Sequence, residues 1–281
     1  MTLPQVVKLI REERGLNLHV VGAFAGGGVG ATDVRSDDGS RFALKWWDGD
    51  AQAGRDAAAL VERLRQRGYP IPRFVVADDL GGVTVMLQEY VEGTVSDEVS
   101  DEVITTLLSL NELQVGGGDA AANDWTTYIT GSLLHGCDGY CVHEPLREYD
   151  RRTSSLLETV KAIGEAVDKL PSNDAVHVDF HHRNVLVAKG AVTAVIDWEG
   201  CRSGDSVFDL VTLAFGLSVA EVSASARDRV WDEVRRRTAP DARRAYAAHM
   251  ALRHVDWSIR HRTPKDVDHW LQVSSEFLDG I

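Results

Sequence analysis

The sequence predicts a two-lobed α+β protein, rich in strands over its first third and mainly helical after it. Three observations carry this. Short β-branched and aromatic runs, bounded by glycine, proline and aspartate, fill residues 20–91, and apolar residues recur at helical spacing from about Asp97 onward. One hairpin, near 185–196, interrupts the helical part and carries polar residues at its rim. Glu92-Gly93 marks the boundary, giving lobes 1–92 and 93–281.

In order, residues 4–14 read as a short helix, with Pro4 in its first turn and Val6, Val7 and Ile10 as a stripe. A strand begins at Val20 and runs into Ala25-Gly26-Gly27-Gly28-Val29-Gly30, whose glycines let a backbone approach a phosphate, though a plain hairpin would use them equally well. Arg41 to Trp47 is a strand bearing Lys45. A helix from about Gly54 to Gln66 turns Ala57, Leu60, Val61 and Leu64 inward. Two strands follow, 74–76 and 83–91. Helical pattern resumes at Asp97, Gly116-Gly117-Gly118 breaks it, and 124–147 reads as irregular and aromatic. Leu156, Leu157, Val160, Ile163 and Val167 form a long helical stripe that ends by Pro171, and three helices complete the chain after Leu213.

Composition narrows the class. The chain has 281 residues, 44% apolar and 26% charged, enough for two cored lobes, and a net charge of −13. That charge argues against nucleic acid or an anionic membrane as partner and favours a cationic ligand. Three cysteines (Cys137, Cys141 and Cys201) suit free thiols, not a disulfide framework or a zinc site. The amino terminus lacks a signal-peptide core and no apolar run reaches membrane length, so a cytoplasmic location is expected.

The chemistry sits in residues 176–213. His177, Asp179 and Asn184 stand as H-x-D-x-x-x-x-N; a strand follows, Lys189-Gly190 turns the chain, and a second strand ends on Asp197. The hairpin thereby returns Asp197 beside Asn184. A carboxylate to orient a hydroxyl and two oxygen ligands for magnesium are what phosphoryl transfer requires.

With the glycine-rich turn, Lys45, this loop, Asp197, Gly204-Asp205 and Asp209-Leu210, the chain resembles the aminoglycoside phosphotransferase and choline kinase group, small-molecule kinases of protein-kinase-like fold. Within it the sequence looks most like the phosphotransferases of tuberactinomycin peptides, capreomycin and viomycin. The resemblance implies ATP (or GTP) and Mg2+, with Asp179 orienting and deprotonating the acceptor hydroxyl and Asn184 and Asp197 on the metal. It puts Lys45, Gly27 and Gly28 on the nucleotide phosphates, and backbone groups of Glu89 and Val91 at the base. Asp56, or alternatively Glu62, would orient Lys45; His177, Asp205 and Asp209 would brace the loop.

Some positions depart from the family's pattern. Val178 stands where glycine is usual, His182 and Arg183 replace small residues, Ser206 replaces proline, and the acid on the helix after Lys45 is aspartate, not glutamate. None removes a group that transfer requires. A cationic acceptor would need acids and a ring for its charges, and Glu199, Asp256, Asp124 and Trp257 are the candidates, each equally explained as surface or core. The expected activity is ATP-dependent O-phosphorylation of a cationic antibiotic. A metabolic kinase of the same fold, for choline, a sugar, homoserine or a fructosamine, is the alternative, and a non-catalytic nucleotide-binding module the third reading.

Overall fold

The computed structural model describes residues 1–24, 30–49, 51–119 and 124–280, with only the backbone of Ala51. In chain order it begins α1 (Leu3–Arg14), β1 (Leu18–Ala23), β2 (Thr32–Ser36), β3 (Arg41–Trp47), α2 (Ala51–Gln66), β4 (Phe74–Leu80) and β5 (Val83–Glu89). There follow α3 (Asp101–Gln114), α4 (Trp125–His135), α5 (His143–Tyr149), α6 (Arg151–Ala166), β6 (Asp174–Val176), β7 (Val185–Ala188) and β8 (Ala191–Val195). Then come β9 (Arg202–Gly204), α7 (Val207–Leu217), α8 (Ala224–Arg237), α9 (Pro240–His261) and α10 (Pro264–Asp279). They fall into two compact units, Met1–Val95 with Asn184–Arg202, and Ser96–Arg183 with Ser203–Ile281. The first unit thus combines the strand-rich front of the chain with the hairpin read from the sequence.

In the first unit the sheet runs β1-β2-β3-β5-β4, every neighbouring pair antiparallel. Alternation along β3 buries Phe42 and Leu44 on one face, with Val34, Leu87 and, from α1, Val6 and Ile10. Lys45, one position out of phase, belongs to the other face. The β7–β8 hairpin closes through Lys189 and Gly190, both at positive φ (53° and 79°), the conformation that a two-residue hairpin turn demands. Thr94 joins the hairpin by two backbone hydrogen bonds to Val187 (3.0 and 2.9 Å). A side chain at Gly93 would run into Thr193 Oγ1 at 2.7 Å, which explains glycine there.

The second unit is helical around Trp125, Phe208, Tyr246 and Leu252. Most of residues 124–147, which read as irregular, belongs to α4 and α5, with 136–142 as the loop between them. Threonine, tryptophan and tyrosine give α4 weak intrinsic propensity, but burial of Trp125, Ile129 and Leu133 stabilises it. Side chains on α3, α7 and α8 form a polar core around Asn111, Gln114, Ser206 and Arg237, closed by hydrogen bonds of 2.6–2.8 Å.

Candidate functional site

In the first unit the site is a charged turn facing a lysine. Asp197 takes a left-handed conformation (φ 68°, ψ 47°), tolerable for aspartate, and opens a 3₁₀ turn, Trp198–Gly200. Trp198 anchors that turn: it is fully buried, its indole N–H donates to Val195 O (3.0 Å), and it meets Tyr69 edge-on at 5.2 Å. The acids on either side of this anchor reach Lys45, whose Nζ lies 2.7 Å from Asp197 Oδ1 and 2.8 Å from Glu199 Oε1. Burial pulls the ammonium down, yet Glu199 and Asp197 outweigh it and hold its pKa above the ordinary lysine value.

The expected partner acids on α2 are not where Lys45 needs them. Asp56 is exposed and accepts from Gln52 Nε2 (2.7 Å), and Glu62 is exposed, 3.9 Å from Arg65. The inward stripe of α2 (Gly54, Ala57, Leu60, Val61 and Leu64) is apolar, so the helix has no acid to offer. Glu199, expected on the substrate, stands in that place instead.

Asn184 lies at the other end of the hairpin, with its backbone carbonyl accepting from Ile196 N–H (2.9 Å), next to Asp197. An amide oxygen and a carboxylate are hard donors. Among the described residues no group of three His, Cys, Asp or Glu could hold a metal. That donor set fits magnesium, which takes few protein ligands and relies on phosphates and water for the rest. Gly27 and Gly28 lie outside the described residues. In the stretch expected at the base, Glu89 N–H donates to Arg73 O (2.9 Å) and its carboxylate pairs with Arg73.

In the second unit the loop around Asp179 is strained and heavily braced. Val178 has φ 67°, a conformation that a β-branched residue rarely adopts; this is the position where glycine was expected. Asp209, fully buried on α7, accepts the N–H groups of His177 (2.7 Å) and Val178 (3.0 Å) and a hydrogen bond from Gln114 (2.6 Å). Burial pushes its carboxyl up to about 7 against these donors. His177 Nδ1 accepts Asp179 N–H (3.2 Å), so its proton sits on Nε2. Asp205 caps α7 through Val207 N–H (3.0 Å) and accepts Tyr246 O–H (2.7 Å), while burial raises its carboxyl.

The Asp179 side chain meets Arg253 (2.9 Å) and His181 (3.4 Å). Burial alone would raise its carboxyl; Arg253, then His181, drive it far below the usual carboxylate range. His254 lies between Phe215 and Trp270, 3.9 Å from the latter's ring and nearly parallel to it. Burial, with Arg253 and His181, brings its pKa down to about 3.

Two further substrate candidates are excluded or reassigned by packing. Asp256 is fully buried, accepts Val142 N–H (3.0 Å) and pairs with Arg260 through both oxygens (2.6 and 2.8 Å), so it cannot meet a ligand. Trp257 is exposed (42%), and the guanidinium near its ring is Arg260, 5.7 Å away. Asp124 is exposed just ahead of α4. Arg253 and His254 were missed because a sequence gives no sign that α9 meets a loop 74 residues earlier; His181 stands inside the loop, and its spacing of two from Asp179 was the signal that could have found it.

A half-buried lysine against two carboxylates in one unit, with a braced and ionised loop aspartate in the other, marks a phosphotransferase of kinase-like fold. The chain matches the profile of the APH, or phosphotransferase enzyme, family over residues 23–252 and belongs to that family. Among solved structures it is similar to a thermostable mutant of aminoglycoside phosphotransferase APH(4)-Ia bound to ADP and hygromycin B, with TM-score 0.68 and 16% identity over 98% of each chain. It is also similar to the choline kinase LicA from Streptococcus pneumoniae, with TM-score 0.63 and 14% identity over 99% of this chain and 100% of that one. Spectinomycin phosphotransferase APH(9)-Ia with ADP and spectinomycin gives TM-score 0.61 and 10% identity over 100% and 94%. At these identities the likeness establishes the fold alone. No curated protein matches by sequence. Among the described residues no helix is long and apolar enough to cross a membrane.

Proposed function

We propose that the protein transfers the γ-phosphoryl group of ATP (or GTP) to a hydroxyl of a cationic antibiotic, with tuberactinomycin peptides such as capreomycin and viomycin as the first candidates, and so confers resistance. The observation that carries the reading is Asp179, an ionised carboxylate held by Arg253 and His181 on the H-x-D-x-x-x-x-N loop. The hygromycin- and spectinomycin-bound relatives support an antibiotic acceptor.

In this reading Asp179 accepts a hydrogen bond from the acceptor hydroxyl and aims its oxygen at the γ-phosphorus. The new O–P bond forms as the bond to the β,γ-bridging oxygen breaks, and the diphosphate departs. A carboxylate this acidic takes the proton only late, so orientation is its main contribution. Lys45 neutralises phosphate charge, while Asn184 and Asp197 would hold magnesium. When bound, the metal offsets charge on the phosphate oxygens.

A choline or other metabolic kinase is the second reading, favoured by the likeness to LicA and by the loss of Glu199 and Asp256 as acids for a polycationic peptide. Susceptibility of expressing cells to capreomycin, viomycin, hygromycin B and spectinomycin, with mass analysis for one added phosphate, tests the proposal. ATP consumption with choline and the other metabolites tests the alternative. Asp179→Ala should abolish transfer and leave nucleotide affinity nearly intact, whereas Asn184→Ala and Asp197→Ala should weaken metal-nucleotide binding. A fully active Asp179→Ala enzyme would exclude the assignment.

A further inference from the structure

Helix α9 presents Arg253, Asp256 and Arg260 at spacings of three and four, which place them on one face. Each holds a piece of chain from elsewhere in the second unit. The Arg253 guanidinium donates from Nη1 to Val178 O (2.8 Å) and from Nη2 to Asp179 Oδ1 (2.9 Å), gripping backbone and carboxylate of the same strained turn. Asp256 accepts Val142 N–H (3.0 Å), and Arg260 Nη2 donates to Gly139 O (2.9 Å). Between these two contacts lies Tyr140, whose ring centroid is 5.7 Å from the Arg253 guanidinium and whose hydroxyl meets Tyr128 Oη at 2.8 Å.

We propose that Arg253 is a positioning residue for phosphoryl transfer, setting the direction of the Asp179 carboxylate and registering the 139–142 loop against it. This rests on the kinase reading above. The forked geometry matters more than the charge. Two donors in one plane fix both the φ-strained backbone and the side chain, which a single ammonium cannot do. Other titratable groups around Asp179 include His181 and His177 from its own loop, His254 from α9 and the buried Asp209 of α7, which accepts Val178 N–H (3.0 Å) but repels the Asp179 carboxylate.

The test uses the full-length enzyme with Mg-ATP, capreomycin as acceptor, and water as a second acceptor read as ATP hydrolysis. Arg253→Met should lower kcat by about 100-fold, the loss expected from misplacing a reacting group by roughly 1 Å, with KM for ATP unchanged within about twofold. Arg253→Lys should recover less than about a tenth of the lost rate, since it cannot span both acceptors. Arg253→Ala should regain activity with N-ethylguanidinium and not with ethylammonium. The acid limb of the kcat–pH profile should move to higher pH in Arg253→Met, a change that a purely structural residue would not cause. Should Arg253→Met destabilise the fold, the lysine variant and the rescue comparison still decide.

If both variants keep wild-type kcat while Asp179→Asn is inactive, Arg253 has no positioning role and the kinase reading survives. If Asp179→Asn is as active as wild type, or the wild type transfers phosphate to neither acceptor, the kinase reading fails and takes this one with it.

Discussion

Glu199 Oε1 lies 2.8 Å from the Lys45 ammonium, two residues beyond the Asp197 that also reaches it. Both acids come from the turn after β8, and α2, with its apolar inner stripe, contributes neither. Glu199→Gln should therefore reduce kcat/KM for ATP on the order of tenfold or more, the value of a hydrogen bond to a charged group. Asp56→Asn and Glu62→Gln should stay within about twofold. Steady-state kinetics with varied nucleotide decides, and the reverse ranking would return the role to the helix.

Val178 holds a left-handed backbone that costs a β-branched residue about 1–3 kcal/mol. Glycine would remove that cost but add about 0.5–1 kcal/mol of chain entropy and give up some packing. Val178→Gly should then lie within about 1 kcal/mol of wild type in urea unfolding and keep its activity. Val185→Gly, at a fully buried strand position, should cost several kcal/mol. Equal losses at the two sites would mean that the turn at 178 stores no strain.

Asp209 accepts two backbone N–H groups and one amide from inside the second unit. Asp209→Ala leaves these buried donors without their acceptor, at about 1–3 kcal/mol each. The melting temperature should fall well below that of Asp205→Asn, in which the capping oxygen survives. Activity lost with no change in stability would instead point to direct contact with the reaction.

His254 stays neutral down to about pH 3, whereas in the unfolded chain it takes up a proton near 6.5. Above pH 6.5 both states are neutral and the residue contributes no pH dependence. As pH falls below 6.5 the unfolded state gains the proton first, so stability declines by up to about 1.4 kcal/mol per pH unit. Asp209, raised to about 7, works in the opposite direction, since the folded state takes up its proton first as pH falls, while Asp179, with its depressed carboxyl, adds a loss only below about 3.8. His254→Phe, which preserves the stack on Trp270, should gain stability relative to wild type as pH falls from 6.5 to 4 in denaturant titrations. A slope unchanged by the substitution would show that His254 is protonated in the folded protein.

Local pattern made β1, β3, β4, β5, the β7–β8 hairpin and most of the helices legible, because periodicity and turn chemistry act between residues close in sequence; β2 was not legible, and the three-residue β6 and β9 are too short to signal themselves. The Lys189-Gly190 turn and the apolar stripe of α2 are examples. Helix α4 was not legible: its residues are indifferent helix formers, and burial of Trp125 against Phe208 and Tyr246 decides for it, while α5 is only seven residues long and carries Pro145.

By itself, then, the sequence determined the class of protein: the H-x-D-x-x-x-x-N loop, the returning Asp197 and the strand-borne Lys45 are short-range facts. Only the tertiary structure decided which acids hold that lysine, that Asp256 is buried, and that Arg253 grips the turn at Asp179. The physical reason is range. An ion pair depends on where distant segments meet in space, and between Lys45 and Glu199, or Asp179 and Arg253, that meeting is made by the packing of many apolar side chains, none of which signals the pair in its own neighbourhood of the sequence.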